Sequence, residues 1–242
     1  MVPSQTELLF TLGLDSEVVG ITKFCVHPEH WFRNKERVGG TKKLNLEKIR
    51  SINPDLILAN KEENTKEDID ALSGEFNVWV SDIRTLEDAL SMIRSVGEMV
   101  GKSEAATELT TEIRLRFDSI DLKQKKRKAL YLIWKNPYMS AGGDTFISSM
   151  MESAGYENVL QHRKRYPELS IEEIRDLNPG IILLSSEPFP FKEKDELEIQ
   201  NHIKNVIALR VDGEMFSWYG SRLLHSPKYF VELSRAVRDK IT

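Results

Sequence analysis

Cysteine is almost missing from this chain: of 242 residues one is cysteine, Cys25. A single thiol excludes an intramolecular disulfide and any multi-cysteine zinc or iron–sulfur cluster. Long apolar runs are missing as well, none approaching the ~18–20 residues a membrane-spanning helix needs. There is no surplus of positive charge, because 34 Lys and Arg stand against 38 Asp and Glu for a formal net charge of −4. No general basic field invites nucleic acid, and the one basic run, Lys123 to Lys128, is short. Met1 to Glu7 carry neither the basic region nor the apolar core of a secretory signal. A leaderless chain and a trimmed one both stay open. Also missing are a Gly-x-Ser-x-Gly elbow, a His-Glu-x-x-His pair and a phosphate loop, and Gly142-Gly143-Asp144 lacks the further glycine of a dinucleotide site. What remains is 40% hydrophobic and 30% charged, a globular composition whose length suits one large domain or two modest lobes.

A duplication decides between these. Residues 44–59 read LNLEKIRSINPDLILA and residues 169–184 read LSIEEIRDLNPGIILL. Leu44/Leu169, Glu47/Glu172, Ile49/Ile174, Arg50/Arg175, Asn53/Asn178, Pro54/Pro179, Ile57/Ile182 and Leu58/Leu183 are identical, where ordinary residue frequencies give about one chance match. In each copy a cap residue, Asn45 or Ser170, precedes a helix with one apolar face. Asn-Pro then stops the helix, since proline disfavours the α conformation before it and has no amide hydrogen. The apolar runs Leu56–Leu58 and Ile181–Leu184 follow, as expected of strands buried on both faces of a parallel sheet. The fold class is therefore α/β, with two αβ halves.

Between the halves, Leu86, Ala89, Leu90, Ile93, Val96 and Val100 keep a helical period that Gly101 ends. Ser103 is placed to cap a second helix running to residue 120, about 27 Å long, whose charged outer face suits a bridge between two bodies. The division expected is 1–84 for the first lobe, 85–122 for the helical connector and 123–242 for the second lobe. Residues 129–134 predict the second lobe's first strand and residues 18–22 a strand of the first. Little precedes the helix predicted over 6–12, so the first lobe's sheet is expected to lack an edge.

Three segments are rich in polar and aromatic residues that core packing does not require: 22–32, 134–146 and 212–222. The first two follow strands, where ligands of open α/β sheets bind, and aromatic walls with few polar groups suit a large, partly apolar molecule. Asp144 or Thr145 is placed to cap the helix that follows Gly143. Cys25, His27 and His30 offer three ligands for zinc or copper. Hydrogen-bonded loop histidines are the commoner outcome at such spacing.

The duplicated unit, Val38-Gly39-Gly40 before it, the stretch from Trp134 to Ile147 and the turn Ala154 to Val159 resemble the solute-binding proteins of ABC importers for vitamin B12, iron–siderophores and haem. In that class, the helical-backbone metal receptors, two Rossmann-like αβ lobes are joined by a single long α-helix with a ligand cleft between them. The resemblance spans essentially the whole chain. It implies a non-enzymatic monomer without a cofactor of its own, working outside the cytoplasm, that binds a small-molecule metal chelate such as cobalamin and delivers it to a permease–ATPase complex. By position it implies ligand contacts from Pro3, Ser4, Gln5, Thr22, Lys23, Phe24 and Trp31 in the first lobe. From the second it implies Trp134, Tyr138, Phe216, Trp218, Tyr219 and Arg222. Stacking on Trp and Tyr suits a corrin, porphyrin or aromatic chelate, and Arg222 suits a ligand carboxylate or phosphate. An acidic residue at each lobe tip is implied to dock on the permease. Glu67 and Glu193 hold corresponding places after the duplicated strands, with Glu62 or Glu63 as substitutes. The rival expectations are a cytosolic cobamide-handling protein or enzyme on the same fold, and a metal-ion carrier using Cys25, His27 and His30.

Overall fold

A computed structural model describes residues 1–122 and 126–240, so Lys123 to Lys125 of the basic run lie outside the described residues. The chain divides into two compact units. Unit 1 takes Met1–Ile83, Glu87–Glu112 and a late return, Trp218–Arg222; unit 2 takes Arg84–Leu86, Ile113–Ser217 and the chain from Leu223 onward.

Unit 1 runs α1 (Pro3–Thr11), β1 (Gly20–Ile21), α2 (Glu29–Asn34), β2 (Glu36–Arg37), β3 (Gly39–Gly40), β4 (Lys43–Leu44), α3 (Leu46–Ile52), β5 (Ile57–Asn60), α4 (Lys66–Ser73) and β6 (Val78–Ser81). Its strands form three separate pairs: β1 with β2 and β5 with β6 in parallel, β3 with β4 antiparallel. Two helices follow, α5 (Leu86–Met99) and α6 (Ser103–Asp118), and the boundary between units falls inside α6 after Glu112. Unit 2 continues with β7 (Arg127–Trp134), β8 (Tyr138–Ser140), α7 (Phe146–Ser153), β9 (Tyr156–Asn158), β10 (Glu168–Leu169), α8 (Ile171–Leu177), β11 (Ile181–Ser185), α9 (Glu193–His202), β12 (Ile207–Val211), α10 (Glu214–Ser217) and α11 (Ser226–Asp239). Its strands make one sheet in the order β10-β8-β7-β11-β12, with β9 also on β7. β7, β9, β11 and β12 run parallel.

The duplicated blocks build the same unit twice. Asn45 Oδ1 accepts from Lys48 N at 3.0 Å, and Ser170 forms a reciprocal capping box with Glu173. α3 and α8 then end on Asn53 and Asn178, both left-handed with φ of 50° and 46°. The asparagine carries this stop as much as the proline. A residue before proline is kept out of the right-handed helix, and asparagine is the side chain that best tolerates the left-handed alternative. β5 and β11 are buried along their whole length. β5 pairs Ile57–Asn60 with Val78–Ser81, and β11 pairs Ile181–Ser185 with Ile207–Val211.

Three expectations move. α1 starts at Pro3, where the ring's fixed φ suits a first helical turn. Ser103 is the first helical residue of α6 rather than its cap. The strand expected over 18–22 shrinks to Gly20–Ile21. α5 turns Ala89, Leu90, Ile93 and Val96 inward, and α6 presents Ala106, Leu109 and Ile113. The two helices approach so closely that a methyl at Gly97 would overlap Cβ of Ala106. At the end of β7, Lys135 Nζ donates to Asp195 Oδ1 and Glu198 Oε2, each at 2.7 Å, tying the strand to α9. Burial pulls the Lys135 ammonium down, but these two carboxylates outweigh it and push its pKa up to about 12. Burial raises the Asp195 carboxyl, yet Lys135 and the Lys192 amide together hold it below the ordinary value. Glu198 is held low by Lys135.

Two stability outcomes follow. Gly97→Ala should cost about 1–3 kcal/mol in urea unfolding through overpacking of α5 on α6. Lys135→Met should cost about 2 kcal/mol at pH 7, because it strands the 4%-exposed Asp195 without its cation. The depressed carboxylates give stability that is present above about pH 4 and lost as pH falls through their folded values. The raised lysine's share holds below about pH 10 and fades only as pH rises through about 12. The wild-type–mutant difference should therefore be level from pH 5 to 9 and shrink below pH 4, read as urea midpoints across that range.

Candidate functional site

In unit 1 the candidate residues gather around the first half of α1. Ser4 and Gln5 are buried in its first turn, and the Gln5 amide donates to Ser81 Oγ at 2.8 Å at the end of β6. Asn60, closing β5, donates to the same hydroxyl at 3.0 Å and to the Ser81 carbonyl at 3.1 Å. A polar network thus fixes the carboxyl ends of β5 and β6 beneath α1. Thr22, fully buried after β1, places its hydroxyl 3.2 Å from Cys25 Sγ, and Thr6 donates to that sulfur at the same distance. The turn so pinned carries Lys23 and Phe24 outward: Phe24 is 50% exposed, and Lys23 Nζ lies 5.0 Å from its ring centroid. This is the one strongly exposed aromatic among the unit 1 candidates, and it has a cation at its face.

The return segment 218–222 completes unit 1. Gly220 lets its backbone approach the Ser4 carbonyl, which an added Cβ would meet at 2.5 Å. Arg222 donates from Nη2 and Nε to the two carboxylate oxygens of Glu7, at 2.6 and 3.2 Å, and its guanidinium lies 5.2 Å from the Trp218 ring. His27 meets the other reach of that indole edge-on at 5.6 Å. Trp218 and Tyr219 are 6% and 7% exposed, so they are walls more than open faces. Trp31 is 1% exposed and donates its indole N–H to Asp15 at 2.7 Å, which makes it a core residue of α2.

In unit 2 the candidates separate. Trp134, 39% exposed at the end of β7, packs edge-on against Phe189, which in turn contacts Phe191. Tyr138 on β8 donates to Glu198 at 3.3 Å, and partial burial raises its pKa. Phe216 is wholly buried, packed between Tyr131 and Phe230 with ring centroids 5.1 and 4.9 Å away. It serves the core. Thr145 rather than Asp144 caps α7, accepting from Ser148 N; Asp144 instead accepts the Arg165 amide.

The structure does not gather Cys25, His27 and His30. The thiol is buried between two threonines, His27 lies against Trp218 and His30 against Phe10. No cluster of three or more His, Cys, Asp or Glu suited to a metal occurs among the described residues. Glu67 and Glu193 are exposed in the first turns of α4 and α9, while Glu62 and Glu63 are half-buried, their amides donating to Asn60 Oδ1. Sequence reasoning missed Glu7 and Phe189. Glu7 lies three residues after Ser4, on the same helical face, a spacing that could have flagged it. Nothing local announces that Phe189 would meet Trp134.

Comparison with known proteins agrees with this architecture. The family model described as periplasmic binding protein matches residues 2–208. An uncharacterised ABC transporter substrate-binding lipoprotein, YvrC of Bacillus subtilis, is 25% identical over 96% of this chain and 77% of its own. The periplasmic vitamin B12-binding protein BtuF of Vibrio cholerae superposes with a TM-score of 0.79 at 18% identity, covering 98% of this chain and 96% of its own. The haem-complexed IsdE of S. aureus gives 0.80 at 20% identity, covering 97% and 95%. Two αβ units from one duplicated block, with a family match over most of their length, place this chain in the periplasmic binding protein family.

Proposed function

We propose that this chain is the substrate-binding component of an ABC importer and acts outside the cytoplasm as a monomer, without catalysis. Its ligand is a large metal chelate, cobalamin first, with haem or a ferric siderophore next. Family membership supports the role, and the names of similar proteins, vitamin B12-binding and haem-binding among them, support the ligand class. The observation that carries the ligand reading is Phe24, an exposed ring with Lys23 over it at the end of β1. A planar macrocycle bearing carboxylate or amide arms can stack on such a ring while the lysine meets an arm. In unit 2, Trp134 is the exposed aromatic candidate and Tyr138 a half-buried one. Arg222 is engaged by Glu7, so its part is to hold the Trp218 wall upright and leave the pairing of a ligand anion to Lys23.

Tryptophan fluorescence checks the ligand. Cyanocobalamin, haemin or a ferric siderophore should quench the half-exposed Trp134, and Phe24→Ala should weaken the binding of that ligand about tenfold, some 1.4 kcal/mol of lost stacking. Quenching by none of the three sinks the reading.

Glu67 and Glu193 are proposed as the permease-docking pair. Their exposed first-turn positions support this, and the duplication gives them related places on the two units. Glu67→Lys with Glu193→Lys should abolish importer-driven uptake and leave ligand affinity within twofold in a binding titration. A matching loss of affinity would assign the two glutamates to folding instead.

A further inference from the structure

Unit 2 has a pocket of its own between the turn after β7 and the first turn of α9, and the inference drawn from it does not rest on the proposed ligand. Its volume is about 290 Å³. Phe189 and Pro190 form its apolar lining, and three lysines, Lys135, Lys192 and Lys194, line it beside a single carboxylate, Asp195. A dry cavity of about 150 Å³ holds one benzene ring, so a substituted aromatic ring fits here.

Three observations say what the pocket is suited to. The first is its charge. Lys135 Nζ is matched by Asp195 and Glu198, each at 2.7 Å, and that group of three carries one net negative charge. Lys192 and Lys194 are exposed, make no ion pair among the described residues and add two positive charges. Glu193, between them in sequence, is not part of the lining. One monoanion closes the balance, and the positive end of the ten-residue α9 favours it further. The second is a spare donor. An ammonium has three donor hydrogens, and Lys135 spends two of them on its carboxylates. The third hydrogen has no acceptor among the described residues, although the side chain lines the pocket and is only 12% exposed. The third observation is the ring. Phe189 is half-buried, edge-on to Trp134 at 5.7 Å and to Phe191 at 4.8 Å, and its amide donates to the Ile133 carbonyl at 3.3 Å. A ring held in this way loses little freedom when a second ring packs on it.

We propose that this pocket binds an aryl carboxylate, with the aromatic ring packed on Phe189 and the carboxylate on Lys192 and Lys194, completed by the spare hydrogen of Lys135. A ring without charge leaves the lysines unmatched, and an anion without a ring leaves Phe189 and Pro190 uncovered. Only the two together use what the lining offers. The group has two sources, a free aromatic acid or an aromatic-acid arm of a larger chelate, and the pocket reads the same chemistry in either.

The probe is 2,3-dihydroxybenzoate, titrated into the whole chain by calorimetry. It should bind saturably, and its amide shifts in NMR should gather at Lys135–Asn136 and Phe189–Asp195. Benzyl alcohol, the ring without the charge, and acetate, the charge without the ring, should each bind about tenfold more weakly or worse. Lys192→Gln with Lys194→Gln should weaken the acid by about tenfold, and Phe189→Leu by about fivefold, with circular dichroism confirming that each variant folds. The ferric complex of the same acid, whose ring oxygens hold the iron and leave the carboxylates free, separates the two sources. A gain beyond the roughly threefold statistical advantage of its three arms assigns the pocket to an arm of a chelate, and a smaller gain or none assigns it to a free acid. Saturable binding of neither form overturns the proposal. So does acetate or benzyl alcohol matching the acid, an unchanged affinity in the double lysine variant, or shifts gathered elsewhere. Cyanocobalamin and haemin titrations judge the proposed importer ligand separately, and their failure leaves the outcome for the aryl acid untouched.

Discussion

Both halves depend on one backbone constraint, the left-handed asparagine before a proline. At Asn53 and Asn178 the chain leaves a seven-residue helix and must enter a buried strand within three residues. The proline forbids the right-handed continuation, and the asparagine accepts the left-handed conformation that reverses the chain. Because the reversal is so tight, Ile49 and Ile174 are carried down into the cores beside the strands that follow them, each 3% exposed or less. β5 and β11 then run inward as fully buried strands, which a looser connection would not place.

The same economy shapes the end of unit 1 that lies beneath α1. Polar side chains hold the carboxyl ends of β5, β6 and β1 from beneath, through Asn60, Ser81, Gln5, Thr6 and Thr22. Its hydrogen bonds run among amides, hydroxyls and the Cys25 thiol, with no charged side chain in it. Charged side chains stand at the rim, in pairs with rings or with one another: Lys23 with Phe24, Arg222 with Glu7 and Trp218. What that rim exposes is chiefly the Phe24 ring with a cation at its face.

The architecture was largely legible in the chain because it is written in local and repeated signals. Caps, helical faces and continuous apolar runs each depend on neighbours within a few residues, and their recurrence after 125 positions, Leu44 to Leu169, made chance agreement untenable. The site was legible only in outline. Phe24 and Trp134 drew notice because they follow strands, and both are exposed. Trp31 and Phe216 looked the same in sequence but are core, since their burial is decided by Asp15 and by Tyr131 and Phe230, partners distant in the chain. The histidines illustrate the point in reverse. Spacing brought Cys25, His27 and His30 together on paper, and a single proline-containing loop turned them toward three different neighbours.

The bond between Glu7 and Arg222 joins residues 215 apart in the chain. During synthesis Glu7 therefore leaves the ribosome 215 residues ahead of its cation. Every strand of unit 2 emerges before the segment that carries Arg222, and only its last helix, α11, comes after it. Unit 1 stays incomplete until its return segment, Trp218–Arg222, has emerged, so nascent chains stalled before residue 218 should leave it open to proteases.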